Sequence, residues 1–285
     1  MIDAALRAVP EAERMPTAVV ISPGPGDDGS DAEGALSTLS PESVAVISAD
    51  HSSWQSSAGT LVTFGLSPAA DVRADDVDVS IDGTTFSLRA RGEVRRVSLR
   101  VLGEHLATSA LAAIAVALAH GVTLDNAVEA LESLRGAGPG RMERIDRSDG
   151  VTIIDDAAGS EPQSTAAALK ALAQVGIARR TVAVLGELTV DGDGDDHAAA
   201  HDRIGRLIVR LNVKKLVVVG HDARHIHNAA GLEGSWDGES VLVDTVDEAY
   251  DLLREELQPE DVVLVKASKH AGFSTLAHRL GEAIP

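Results

Sequence analysis

The sequence predicts an α/β protein of two domains: a Rossmann-like three-layer domain at residues 140–285, preceded over residues 1–139 by a second α/β unit with an antiparallel hairpin section. Three observations predict this. Beyond residue 150, short Val-rich runs alternate with helix-length segments, the pattern of a parallel sheet covered on both faces. Asp82-Gly83 separates two alternating runs, a hairpin signal. Between the halves, Gly136-Ala-Gly-Pro-Gly-Arg141 reads as a linker and domain boundary.

In chain order, Thr17–Ser22 is a short apolar run that ends in Pro23-Gly-Pro-Gly26, a strand and then a loop. Val44–Ile47 and Leu61–Phe64 are two further strands. Val77–Ile81 and Thr84–Leu88 flank the Asp82-Gly83 turn, and Val94–Val101 follows as a third hairpin strand. Residues 105–119 are Ala-rich, apolar almost all round and closed by Gly121, a buried helix. Leu124, Ala127, Val128, Leu131 and Leu134 repeat with helical period. In the second half, strands at 151–155, 182–186, 215–220, 241–244 and 262–268 alternate with helices near 163–175, 197–211, a short one after 220, 247–256 and the C-terminus.

Composition narrows the function classes. Aromatic residues make up 2% of the 285, so the core is aliphatic and stacking platforms for single-stranded nucleic acid are excluded. A net charge of −19 argues against phosphate-backbone binding. There is no Cys, hence no disulfide framework, zinc–thiolate site or thiol nucleophile. The N-terminal stretch lacks a cationic segment followed by an apolar run, so it does not read as a signal peptide. Ala110–Ala119, the longest apolar run, is too short to span a bilayer. These features point to a cytoplasmic protein without membrane insertion.

In open parallel sheets, ligands bind beyond the carboxyl ends of the strands. Residues there are Asp155-Asp156, Gly186-Glu187, Gly220-His221 and Lys266-Ala267-Ser268-Lys269. They supply acids, a base and a hydroxyl for a polar ligand, although such residues also serve as turns and helix caps.

An ordered set of motifs carries a family resemblance: Gly103-Glu104-His105, Gly140-Arg141-Met142-Glu143, Ile154-Asp155-Asp156, Val184-Leu185-Gly186-Glu187 and Val265-Lys266-Ala267-Ser268-Lys269. This order resembles the Mur ligases, specifically those that add D-alanyl-D-alanine to a UDP-N-acetylmuramoyl-tripeptide. The likeness runs from about residue 17 to the end. It covers the later part of the family's central ATPase domain, here a truncated domain at 1–139, and the whole C-terminal domain at 140–285. The resemblance implies ATP-dependent amide formation through an acyl phosphate, with magnesium bridging the phosphates. It places His105, Ser109, Arg141 and Asp156 on the nucleotide side, as a functional remnant or as inherited packing. Glu187, His201, Lys266, Ser268 and Lys269 are the candidates on the substrate side.

The sequence departs from the family where the chemistry is most demanding. No Gly-x-x-x-x-Gly-Lys-Ser/Thr occurs, and the first Lys in the chain is Lys170. Residues 1–169 thus hold neither a phosphate-loop Lys nor one that could be carbamylated to bind a second magnesium. Where the family has an Asn-x-Gly-x-x-His stretch, the chain reads Ser22-Pro23-Gly24-Pro25-Gly26-Asp27-Asp28. Pro lacks the N–H a phosphate cradle needs. The Asn-Ala-Asp-Asp stretch is Ser48-Ala49-Asp50-His51, and the helix-motif Asn corresponds to Ser109. The family's Asp-x-Tyr-Asn-Ala-Asn-Pro loop is Asp156-Ala157-Ala158-Gly159-Ser160-Glu161-Pro162. The Lys-Gly-Ser-Arg motif survives as Lys266-Ala267-Ser268-Lys269, and Lys does not reproduce the bidentate fork of Arg.

Other titratable clusters have ordinary readings. His197 and His201 lie one helical turn apart near Asp195 and Asp196, a conceivable metal pair but more simply a polar helix face or, for His201, a retained family residue. His221, His225 and His227 read as surface histidines, and the acidic run Asp191–Asp196 lacks the closing Glu of a calcium loop. The sequence therefore leads to no resident metal and no cofactor. Magnesium and ATP enter only through a composite site with a partner chain.

The resulting expectation is a ligase homologue without ligation activity of its own. It would bind a cell-wall precursor, a partner ligase, an ATPase-bearing subunit or a second copy of itself. The alternative is one subunit of an active ligase whose ATPase half is another polypeptide.

Overall fold

The computed structural model describes residues 1, 15–20, 30–50, 56–134, 136–190, 192, 194–268 and 271–282. The chain divides into two compact units, Met1–Arg135 and Gly136–Pro285, so the division falls at the start of the Gly-rich linker. No helix among the described residues is long and apolar enough to cross a membrane.

The first unit is built on a six-stranded sheet in sequential order: β1 (Thr17–Val20), β2 (Val44–Ser48), β3 (Thr60–Gly65), β4 (Val72–Ser80), β5 (Gly83–Ala90) and β6 (Glu93–Leu99). β1 to β4 pair in parallel, and β4, β5 and β6 pair antiparallel. The hairpin differs in detail from the expected turn. Ser80 pairs with Gly83, which leaves Ile81-Asp82 as the connection and makes Gly83 the first residue of β5. The reason lies in the third strand: a Cβ on Gly83 would sit 2.1 Å from the Leu99 carbonyl oxygen, and its φ is +141°. The glycine is there for close approach as much as for the turn.

A short helix that the sequence pattern did not reveal, α1 (Ser30–Ser37), places Leu36 against Ala45 and Ile47. α2 (Glu104–Ala119) is the buried Ala-rich helix, with every residue from Ala110 to Leu118 inside. It packs on β2, β3, β4 and β5, where alanines let helix and sheet approach closely. α3 (Leu124–Glu132) is capped by the Thr123 side chain, which accepts the Asn126 N–H, and buries Leu124, Ala127, Val128 and Leu131. The entry to α2 is fixed by Thr84, whose buried hydroxyl donates to the Val101 carbonyl at 2.8 Å and accepts the Gly103 N–H at 3.1 Å.

The second unit is a three-layer α/β domain. Its strands are β7 (Glu143–Asp146), β8 (Thr152–Asp155), β9 (Thr181–Leu185), β10 (Lys215–Val219), β11 (Glu239–Val243) and β12 (Val262–Lys266), in spatial order β11-β10-β9-β12-β8-β7. β8 to β12 are parallel; β7 is antiparallel to β8 and was not foreseen. Its sequence, Glu-Arg-Ile-Asp, offers one apolar residue in four because it is an edge strand with little to bury. β8, β9, β10 and β12 are buried along their whole lengths.

The helices of this unit are α4 (Pro162–Val175), α5 (Gly194–Arg210), α6 (Arg224–Gly231, after a 3₁₀ turn at His221–Ala223), α7 (Val246–Glu256) and α8 (Phe273–Glu282). α4 covers β9 and β12, α6 covers β10 and β11, and α5 packs between those two helices. On the other face, α7 lies on β10 and β11, and α8 on β7, β8 and β12. The core beneath α7 and α8 is largely aliphatic: Ile153, Val182, Val184, Val217, Val263 and Val265 meet Leu253, Leu276 and Leu280.

Candidate functional site

The chain runs from β8 past the position of β12 to β9, then outward, and returns through β12 between β9 and β8. The loops beyond these three strands therefore adjoin at the carboxyl edge, where the order of strands switches. Each loop is tied to the next by a side chain that the sequence places at a strand end or in the loop.

Lys266, the last residue of β12, is 3% exposed on its side chain and lies 2.7 Å from Asp156 Oδ2. Its ammonium also donates to the Gly159 carbonyl at 2.8 Å. Asp156 Oδ1 accepts the Met142 N–H at 3.1 Å. The sequence reading put Asp156 on the nucleotide side and Lys266 on the substrate side; in the fold they form one ion pair. The β8 loop is joined to the β9 loop through buried Ser160, whose hydroxyl accepts the Thr189 N–H at 3.2 Å and lies 3.1 Å from Thr189 Oγ1.

His201 anchors the β9 loop to α5. It is completely buried; Nε2 accepts the Leu188 N–H at 3.0 Å, and Nδ1 lies 2.8 Å from the His197 carbonyl. Those two partners require the neutral tautomer with the proton on Nδ1. Burial lowers the pKa below the usual histidine value, partly opposed by the His197 carbonyl. With both nitrogens engaged, His201 orients the loop rather than facing a ligand, and the His197–His201 pair does not fit a metal. His197 instead stacks on His201 at 4.2 Å between ring centroids and places Nε2 3.0 Å from Glu187 Oε1.

Above these ties opens a cleft of about 290 Å³ lined by Glu187, Leu188, Thr189, Val190, His197 and Ser268. A carboxylate, an imidazole and hydroxyls on a largely polar rim match a small ligand bearing an ammonium group. Of the expected substrate-side residues, Glu187 and Ser268 line this cleft, whereas His201 and Lys266 are buried and do not line it. Lys269 lies outside the described residues, as do Ser22–Asp28, His51, Asp191 and Asp193.

Arg141 is exposed at the start of the second unit, just after Gly140. In the first unit, His105 and Ser109 share the first turns of α2, and Ser109 Oγ donates to the His105 carbonyl at 3.2 Å. Of the second histidine cluster, His227 pairs through Nδ1 with Ser240 Oγ at 2.7 Å. Sequence reasoning passed over one convergence. Among the described residues, Glu143, Asp155 and His278 place carboxylate and imidazole atoms within 4.8 Å of one another. Asp155 and Glu143 stood in motifs, but nothing in the spacing of His278 announced the third.

Comparison with known proteins agrees with this architecture. The family description "Mur ligase, glutamate ligase domain" matches residues 140–269. The chain is 43% identical over 212 residues to the UDP-N-acetylmuramoyl-tripeptide–D-alanyl-D-alanine ligase of Mycobacterium bovis, across 68% of this chain and 41% of that protein. It is 28% identical over 258 residues to the Escherichia coli ligase of the same name, covering 88% of this chain and 55% of the relative. The chain thus spans about half or less of the length of these curated relatives. Among solved structures, MurF from Acinetobacter baumannii superposes with a TM-score of 0.75 at 26% identity, over 93% of this chain and 60% of that one. MurF ligase from Thermotoga maritima in complex with ADP shares the fold, with a TM-score of 0.76 at 18% identity over 98% and 63% of the two chains. By ordered motifs, fold and sequence identity, the chain belongs to the Mur ligase family and resembles its D-alanyl-D-alanine-adding branch.

Proposed function

We propose that these 285 residues form a MurF-like binding or partner protein of peptidoglycan precursor synthesis, acting in the cytoplasm, and that they do not catalyse ATP-dependent ligation by themselves. The observation that carries this reading is the state of Asp156. One carboxylate oxygen is held by Lys266 and the other by the Met142 N–H. Both oxygens of this nucleotide-side carboxylate are thus engaged within the chain itself. The count of lysines adds to it: residues 1–169 offer none to hold a transferring phosphoryl group, and electrostatic stabilisation is nearly all that a protein contributes to that step.

What remains is a preorganised polar cleft. Glu187 receives an ammonium group, Ser268 supplies a hydroxyl, and the ties through Ser160, His201 and Lys266 hold the rim rigid without occupying it. A D-alanyl-D-alanine-like dipeptide, the substrate named for the relatives, has the matching amine.

Titration calorimetry tests both halves. The expected result is no heat with magnesium and a non-hydrolysable ATP analogue at millimolar concentration, and saturable heat with D-alanyl-D-alanine that falls at least about tenfold in affinity in Glu187→Gln. Saturable micromolar nucleotide binding overturns the inactive reading, and dipeptide binding untouched by Glu187→Gln overturns the site.

The exposure of Arg141, within a retained family motif, favours a second reading: a subunit whose ATPase half is another chain. An ATPase-bearing protein then co-purifies, and Arg141→Ala impairs the joint ligation. A complex that keeps its full rate in Arg141→Ala sinks this reading.

A further inference from the structure

We infer that Glu143, Asp155 and His278 form a site for a divalent transition-metal ion that fastens α8 to the β7–β8 edge of the second sheet. The three side chains come from three separate elements. Glu143 opens β7, Asp155 closes β8 as its register partner, and His278 lies on α8, which packs on both strands. Their ligand atoms all fall within 4.8 Å of one another, the span of a single coordination sphere with little adjustment.

A second observation points to a cation. Asp155 is 0% exposed, yet among the described residues its carboxylate meets only neutral donors: Oδ1 accepts the Ala157 N–H at 3.0 Å, and Oδ2 accepts the Ser274 hydroxyl in a short contact. Among the described residues, no lysine or arginine forms an ion pair with it. A buried carboxylate without a cation is costly. Each oxygen keeps lone pairs beyond the bonds it accepts. The backbone is shaped around the same spot. Gly140, at φ +62°, donates its N–H to Glu143 Oε2 at 3.1 Å, and a Cβ there would lie 3.3 Å from Ser274 Oγ. Ser274 and His278 stand one turn apart on α8, so one helix face carries both the hydroxyl on Asp155 and the imidazole.

One imidazole and two carboxylates suit zinc among the common divalent ions, with cobalt(II) as its spectroscopic stand-in. Three protein ligands leave a position for water, and the exposure of His278 leaves an entry path. The site uses none of the residues of the Glu187 cleft.

The test is addition of cobalt(II), then zinc, to the chelator-treated full chain. One equivalent of cobalt is expected to give visible d–d absorption that zinc displaces, with a raised melting temperature. His278→Ala is expected to abolish the absorption and the thermal gain, and Glu143→Gln to weaken binding at least about tenfold. His221→Ala, which removes an exposed imidazole elsewhere, is expected to leave the titration unchanged. No stoichiometric binding overturns the inference. So does binding that survives His278→Ala but vanishes in His221→Ala, which would identify an adventitious surface-histidine ion.

Discussion

The ammonium of Lys266 lies 2.7 Å from Asp156 Oδ2 although 110 residues separate the two in the chain. With side chains 3% and 13% exposed, they form a buried ion pair that closes the β8 loop onto the end of β12. Breaking such a pair from one side leaves an uncompensated charge, which costs more than the pair contributes. Lys266→Met is expected to destabilise the second unit by about 3 kcal/mol. The double variant Lys266→Met/Asp156→Asn should recover much of that loss. Urea unfolding of the three proteins measures both numbers, and equal loss in single and double variants would exclude the pair as the cause.

His201 makes stability pH-dependent. Its folded pKa is lowered, chiefly by burial, so the unfolded chain takes up a proton more readily than the folded one. Its contribution is therefore complete above the unfolded value of about 6.5 and is lost as pH falls from there through the lower folded value. Urea midpoints at about pH 7.5 and about pH 5.5 should differ more for the wild type than for His201→Gln. An identical pH slope in the two proteins would show that other groups set it.

Thr84 gives a test in the first unit. Thr84→Val keeps the shape but removes both bonds of the buried hydroxyl and strands the Gly103 N–H and Val101 carbonyl. The expected cost is about 2 kcal/mol, whereas Thr84→Ser should retain most of the stability. Denaturant titration of the two variants separates the hydrogen bonds from the lost methyl group.

Two glycines with positive φ separate strain from collision. Gly92, at φ +78°, has open space where a Cβ would stand, while a Cβ on Gly83 would meet the Leu99 carbonyl oxygen at 2.1 Å. Gly92→Ala should cost about 1 kcal/mol from its dihedral alone. Gly83→Ala should cost about 3 kcal/mol or more, because the β6 backbone must also move. Thermal melts rank the pair directly, and equal shifts would count against the close-packing account.

The elements were legible where burial was one-sided or complete. Residues 105–119 could be read as a buried helix because almost every position is apolar. The runs that became β8, β9, β10 and β12 were visible as unbroken aliphatic stretches. β7 and α1 were hidden for the opposite reason: among the described side chains of α1 only Leu36 is buried, and Glu143–Asp146 alternates only between half-buried and exposed positions.

The site divides along the same line. Glu187 and Ser268 line the cleft because both follow strand ends, and strand ends in a parallel sheet gather at one edge wherever the strands fall in sequence. The roles of Asp156, Lys266 and His201 were not legible, since a strand-end lysine looks alike whether it meets a ligand or a carboxylate from another loop. Sequence alone showed the α/β alternation, the net negative charge and the family motifs, all properties of local pattern and composition. Only the tertiary structure decided which of those motif residues face a cleft and which are spent on each other. That choice depends on β12 returning between β9 and β8, which brings side chains more than a hundred residues apart within hydrogen-bond distance.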